Sequence, residues 1–446
     1  MKTILGINGY SARHPDKGIA HNAGAALVRE GRILAAVDEE RISRVKNDKS
    51  YPFGAINAVL SDREHPEFIA VAGLSRHSVL HSMRSQLQQA LKQSTRADFR
   101  RYLRSRLLDL PVRAAIERVR PRTVPGSLRK LPRREIRHHE AHAASAYFCC
   151  PWPDDRVLVL TLDSFGDAQC GTCWIGENGK LAFDHELPFI HSIGGLYTAF
   201  THHLGFKALQ HEGKIVGLAS YGNPHPMHDR LMNNIRLEAN GWFRFNADLI
   251  QLSIAAMHPG AKEIFDSLTA GLVREDIAAG LQSATEYLVT RWVAHCCRRH
   301  QCTRLALAGG VFANVKLNQR ILELPEVENV YIHPNMGDGG LASGAALAAA
   351  AGVCGNLPPR LLESVYLGPD ISDDEAEKAL SSAGLNFENP DNLPERVAEL
   401  LAEGKVVARA AGRMEYGPRA LGNRSILAAC GDPTINQWLN DRLNRT

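Results

Sequence analysis

Three short apolar runs, TILGI, GAALV and ILAAV, open the chain, the last two separated by the polar turn Glu30-Gly31. Runs of this length, bounded by glycine and polar residues, predict β-strands. The pattern returns in VLVLTLDSFGDAQCGTCWIG, where Val157 to Leu162 reads as a buried strand and Cys173 to Gly176 as the start of the next. Two strand-turn-strand units predict a duplicated α/β fold with a cleft between two lobes. Apolar residues at helical spacing predict a helix from Asp276 to His300, after which a strand, Leu305 to Ala308, runs into Gly309-Gly310 and a further helix. Beyond VYIHPNMGDGGLASGAALAAAAG, the glycine- and proline-bearing stretch Gly352 to Pro359 predicts the main domain boundary. The chain carries no repeat of solenoid length and no low-complexity tract.

Candidate chemistry sits at the ends of these elements. In HHEAHAASAYF, His138 and His142 stand four apart, so on a helix both imidazoles face one side, as metal ligands do. Two unrelated helix histidines give the same spacing. Asp163 ends the strand LVLTLD, where open α/β sheets present groups to a crevice, and Asp338 lies in the glycine-rich turn PNMGDGG. An aspartate in either place is also an ordinary turn former or cap. Together the four make a set of two imidazoles and two carboxylates suited to Fe(II), Mn(II) or Zn(II), with positions left for substrate. Gly309 and Gly310 let backbone approach a ligand, and the helix after them offers its amides to phosphate or nucleoside, with Asn314 and Asn318 as added polar groups or plain helix surface. Arg413, Arg419 and Arg424, spaced among glycines in GRMEYGPRALGNRSIL, read as forked phosphate donors or as surface charge.

Bulk properties narrow the class. The 446 residues suffice for two or three domains, and 44% hydrophobic with 22% charged residues is ordinary for a folded soluble protein. A net charge of +4 gives no case for nucleic acid, although Arg96 to Arg137 is crowded with arginine. That stretch reads as a field for anions or as a solvated helix face backed by Leu103, Leu107, Leu108 and Leu110. The start MKTILGINGY is too short in apolar residues for a signal peptide, and no segment reaches the ~20 apolar residues of a membrane span. A cytoplasmic protein is expected. Nine cysteines, an odd number with adjacent pairs, form no secreted disulfide framework, and Cys170 and Cys173 read as strand cysteines.

GINGY, HNAGAALVREGRILAAVDEERISRVK, HHEAHAASAYF, LTLDSFGD, GKIVGLASYG, GGVFANVKLN, PNMGDGGLASGAAL and GRMEYGPRALGNRSIL, in this order over nearly the whole chain, resemble the O-carbamoyltransferase family of antibiotic, toxin and nodulation-factor biosynthesis. The resemblance implies a duplicated actin-like (ASKHA) two-lobed α/β domain over residues 1–355, with lobes about 1–155 and 156–355. A linker at 356–361 would lead to an incomplete YrdC-like segment at 362–446. It implies that carbamoyl adenylate is made from carbamoyl phosphate and ATP, and that the carbamoyl group then passes to a hydroxyl of a small secondary metabolite or glycan. It makes His138, His142, Asp163 and Asp338 ligands of Fe(II) or another divalent metal, His21 the base and Lys46 a contact to the adenylate.

Two departures stand out. His21 is followed by Asn22 where the family has Asp, and the sequence stops at LNDRLNRT where the YrdC-like domain would continue. The expectation is a second chain completing that domain, or loss of the adenylation half-reaction. Threonylcarbamoyl transfer to tRNA is the alternative enzyme, opposed by the GRMEYGPRALGNRS block and the modest charge. A nucleotide- or metal-binding subunit without catalysis is the alternative outside enzymes.

Overall fold

The computed structural model describes residues 2–9, 22–60, 65–72, 128, 130–255, 261–432 and 434–443. Most of the arginine-rich stretch, with Leu103 to Leu110, lies outside the described residues. The chain divides into two units, Met1–Glu363 and Ser364–Thr446. The strands are β1 (Thr3–Asn8), β2 (Gly24–Arg29), β3 (Arg32–Asp38), β4 (Phe68–Ala72), β5 (Arg133–Ile136), β6 (Val157–Gly166), β7 (Gln169–Glu177), β8 (Lys180–Pro188), β9 (Ile235–Leu237), β10 (Phe243–Phe245), β11 (Arg304–Ala308), β12 (Asn329–Ile332), β13 (Val407–Ala410) and β14 (Arg424–Leu427). The helices are α1 (Glu39–Ser43), α2 (Phe53–Leu60), α3 (His138–Phe148), α4 (Ile193–His203), α5 (Glu212–Ala219), α6 (His225–Met232), α7 (Ala247–Ala255), α8 (Ala261–Thr269), α9 (Arg274–His300), α10 (Val315–Leu322), α11 (Leu341–Cys354), α12 (Asp373–Ser382), α13 (Leu393–Ala402) and α14 (Ile435–Arg442).

The first unit is mixed α/β and holds two five-stranded sheets, β3-β2-β1-β4-β5 and β8-β7-β6-β11-β12. Each has one plan. A central strand pairs antiparallel with the next strand, which a third extends as a meander, and parallel with a later strand, which another flanks in parallel. The aliphatic runs do not alternate with polar residues because these strands are covered on both faces: every residue of β1 is buried, as are the first seven of β6.

Helices α3 and α11 fill the space between the sheets. α3 follows β5 of the first sheet yet lies on β6, β7 and β11 of the second. α11 follows β12 of the second sheet yet lies on β1, β2 and β4 of the first, and the two helices pack against each other. Their small residues have a steric reason. A Cβ on Gly344 of α11 would stand 1.9 Å from the Ala141 carbonyl oxygen of α3. One on Gly6 of β1 would stand 1.9 Å from that of Ala342. Contact this close excludes any larger residue.

On the far side of the second sheet, α4 and α9 close the main core around Leu158, Leu160, Leu305, Leu307, Phe200, Phe243 and Trp292, all fully buried. Each buried leucine there contributes about 2 kcal/mol. The strand after the β6 turn begins at Gln169 rather than Cys173, because Asp167 and Ala168 both adopt positive φ (54° and 68°) and turn the chain in two residues.

Polar ties join the first sheet to the loop after β12. Asn335 donates from Nδ2 to both oxygens of Asp38, at 3.2 and 3.3 Å, and Asn8 donates to the Asp338 carbonyl at 2.9 Å. Burial above all, with the Glu40 charge next, pushes the Asp38 carboxyl up to about 7.

In the second unit β13 and β14 pair antiparallel. Helices α12, α13 and α14 bury no residue, and Leu385, Phe387, Leu393 and Trp438 are exposed. Among the described residues no helix is long and apolar enough to cross a membrane.

Two outcomes follow for stability. Gly344→Val drives side-chain atoms into the Ala141 carbonyl and is expected to lower the stability of the first unit by about 3 kcal/mol in urea unfolding. Gly213→Ala on α5, where a Cβ meets nothing within 4 Å, is expected to gain about 0.5 kcal/mol instead. Equal effects at the two positions would refute the steric account. Asp38, with its native carboxyl raised, contributes stability that is present in full below the unfolded-state value near 3.8 and is lost as pH rises through about 7. Asp38→Asn is expected to flatten that fall, so that the variant gains on the wild type with rising pH. Parallel pH-stability curves would rule this out.

Candidate metal centre

HHEAH forms the first turns of α3, whose opening amide, His138 N–H, donates to Asp167 Oδ2 at 2.8 Å. The carboxylate reaches it from the β6–β7 turn and suits the positive end of the helix. Gly166 of the same turn packs so closely that a Cβ there would lie 2.3 Å from His138 Cδ2. Helical spacing then sets His138 and His142 side by side, with their Nε2 atoms 3.1 Å apart. His139 points elsewhere. Its Nδ1 meets Thr161 Oγ1 at 2.8 Å, and burial above all holds its pKa well below the usual value, so it remains neutral.

Asp163 sits where the β6 ladder gives out. Pairing with β11 ends at Thr161, and the register with β7 jumps from Leu162 to Gly166, which frees Asp163 to turn inward. Oδ1 accepts from the Ser164 amide at 2.6 Å. Oδ2 faces the imidazoles, 3.2 Å from His142 Nε2 and 3.6 Å from His138 Nε2, and is buried without a hydrogen bond. Asp338, at the head of α11, brings Oδ1 to 3.6 Å from both Nε2 atoms.

All four side chains are buried, and one donor atom from each lies within 4.8 Å of the others. Donors about 2.1 Å from a shared ion stand roughly 3.0 to 3.4 Å apart, so separations of 3.1 to 3.6 Å are those of a coordination shell. The electrostatics agree. Burial opposes charge on His142, but Asp163 and Asp338 override it and lift the imidazole to about 9. Burial likewise opposes the Asp163 carboxylate, and the two histidines hold it well below the usual carboxylate range. The four side chains are a group that could hold a cation, and their mixed nitrogen and oxygen donors fit a divalent metal.

Gly309-Gly310 lies beside this cluster. A Cβ on Gly310 would stand 3.3 Å from Asp163 Oδ1, while Gly309 has φ +108° and would clash with the Leu162 carbonyl at 2.1 Å. Asn314 caps α10, accepting from the Leu317 amide at 3.0 Å and donating to Gln282 at 2.8 Å. Lys46 is on the exposed turn after α1, its Nζ 2.8 Å from Glu40 Oε1. His21 lies outside the described residues. In the second unit, Arg413 donates to the Leu367 and Gly368 carbonyls and Arg424 to those of Ala411, Gly412 and Asn423, so Arg413 ties its loop to the segment before α12 and Arg424 braces its own loop. Arg419 is exposed.

Several residues here escape a reading of motifs. Asp167 carried its signal in LTLDSFGD, but as a turn residue. Glu415 accepts the Leu421, Asn423 and Arg424 amides on one buried oxygen and organises the arginine loop. His333, fully buried, is pushed down to about 3 by burial and then by the charge on His142.

Residues 85–347 match the family described as Carbamoyltransferase N-terminus, and residues 398–446 match Carbamoyltransferase C-terminus. An uncharacterised protein of Synechocystis is 33% identical over 99% of this chain and 73% of its own length. Nodulation protein NolNO of Sinorhizobium fredii is 30% identical over 95% of this chain, which spans only 60% of that relative. Among solved structures, component A of (R)-2-hydroxyglutaryl-CoA dehydratase from Acidaminococcus fermentans is similar at 15% identity and a TM-score of 0.42, over 79% of this chain and 100% of that one. With more than half of its residues under the N-terminal family pattern and the C-terminal pattern following in order, the chain belongs to the carbamoyltransferase family.

Proposed function

We propose that this protein transfers a carbamoyl group from carbamoyl adenylate to a hydroxyl of a small secondary metabolite or glycan. In this reading His138, His142, Asp163 and Asp338 hold Fe(II) or another divalent metal. The observation that carries it is the convergence of those four donors, from three separate stretches of chain, on one buried point. When bound there, the ion supplies a Lewis acid for the carbamoyl carbonyl, whose oxygen gains charge as the hydroxyl attacks. The bare backbone of Gly309-Gly310 leaves room for substrate beside Asp163. His21 is the group we assign to take the acceptor's proton, since an imidazole titrates near neutrality. Lys46 is the cation we assign to the adenylate.

The common strand order of the two sheets supports reading them as halves of a duplicated actin-like domain. Carbamoyl adenylate would come from carbamoyl phosphate and ATP through a YrdC-like domain of which Ser364–Thr446 is a part. A unit whose helices bury nothing gains a core only against further polypeptide, which supports a second chain or segment completing it. Arg419 is then the guanidinium left for phosphate. Nine free cysteines and ATP as substrate support a cytoplasmic setting.

His142→Ala is expected to abolish transfer and to remove the metal held by the four donors while leaving the circular dichroism spectrum unchanged. Loss of folding would assign the cluster to structure instead. His21→Asn is expected to leave metal content intact and slow transfer from preformed carbamoyl adenylate by about 10² to 10⁴-fold, as read in single-turnover assays. Full activity in that variant would remove His21 from the mechanism.

A further inference from the structure

A second donor cluster lies on the other face of the second sheet. Thr172 of β7 faces α3 through Thr161 and His139, so its neighbour Cys173 points the opposite way, toward α9. There Cys173 sits across the strand pair from His185 of β8, and Cys296 comes from α9. One donor atom from each of the three lies within 4.8 Å of the others, and the same holds for Cys173, Asp184 and His300. Both thiols are fully buried.

The histidine is already in the form that binds metal. His185 Nδ1 contacts Asp184 Oδ2 at 2.6 Å, and Nε2 accepts from the Trp292 indole N–H at 3.4 Å. That pattern puts the proton on Nδ1 and the lone pair on Nε2, with a carboxylate behind the ring, the arrangement found behind metal-bound imidazoles. Asp184 is itself held by His300 Nε2 at 3.0 Å and Arg299 at 3.1 Å. The side chains of His185, Asp184 and His300 are 25%, 17% and 12% exposed, which opens a way in from solvent.

We infer that Cys173, Cys296 and His185 form a second metal site, for zinc, with solvent in the fourth position. Tetrahedral zinc with sulfur and nitrogen donors sets them about 3.5 to 3.8 Å apart, inside the 4.8 Å within which the three donor atoms lie. Zinc with two thiolates carries no net charge, which suits a site walled by the apolar core. Two thiol protons leave on binding. Soft thiolates also separate this site from the His138 cluster, whose nitrogen and oxygen donors favour harder ions.

The test is Co(II) titration of the whole chain, stripped of metal and kept reduced. A thiolate-to-cobalt charge-transfer band with intense tetrahedral d–d absorption is expected in the wild type and in His142→Ala. It should vanish in Cys173→Ser and Cys296→Ser and weaken in His185→Gln. The His142→Ala chain should also retain about one equivalent of zinc after gel filtration. Absence of a thiolate band in the wild type, which needs no variant to fold, overturns the site, and so does a band that survives both serine substitutions.

Discussion

The close approach of α3 and α11 is the constraint on which the rest depends. One helix carries His138 and His142, and the other begins at the turn that carries Asp338. Only because Gly344 lies against the Ala141 carbonyl do those groups come within reach of one another. The alanine-rich sequences AHAASA and LASGAALAAAA contribute little apolar area per residue. Their value is thinness, which lets two backbones and two sheets stack with the donor cluster at one end.

Crowding two carboxylates and two imidazoles out of water is unfavourable unless charge is balanced. Within the cluster the proton drawn to His142 supplies part of that balance. Around it, the Ser164 amide and the Asp167 carboxylate fix the outer atoms of Asp163 and the start of α3, and Asp163 Oδ2 faces inward to the two imidazoles. The arrangement is stiff on the outside and short of positive charge in the middle.

The buried strands were legible because their hydrophobic runs are unbroken and long α9 because its apolar residues recur at helical spacing, while the four clustered side chains stand in a helical histidine pair, a strand and a glycine-rich turn that the sequence marks. Other features depend on neighbours remote in sequence. Nothing in VDEER says that Asp38 is buried, since its partner Asn335 is nearly three hundred positions away. Asn314 reads as a polar helix face but caps that helix. Arg413 and Arg424 read as outward charges, yet backbone carbonyls take both, that of Leu367 for Arg413 and that of Ala411 for Arg424. Asp184 and His185 draw no attention within the edge strand KLAFDHELP until α9 is laid across it.

The exchange of helices between the two sheets also bears on how the chain acquires its shape. The inner face of β1 is covered by α11, whose Ala342 reaches Gly6 only when the long stretch of chain between them has been synthesised. Until then that apolar surface has no native cover, and the N-terminal sheet emerges from the ribosome exposed to other chains. Closing the first unit is therefore slow, a direct cost of a topology in which a helix far along the chain completes the first sheet.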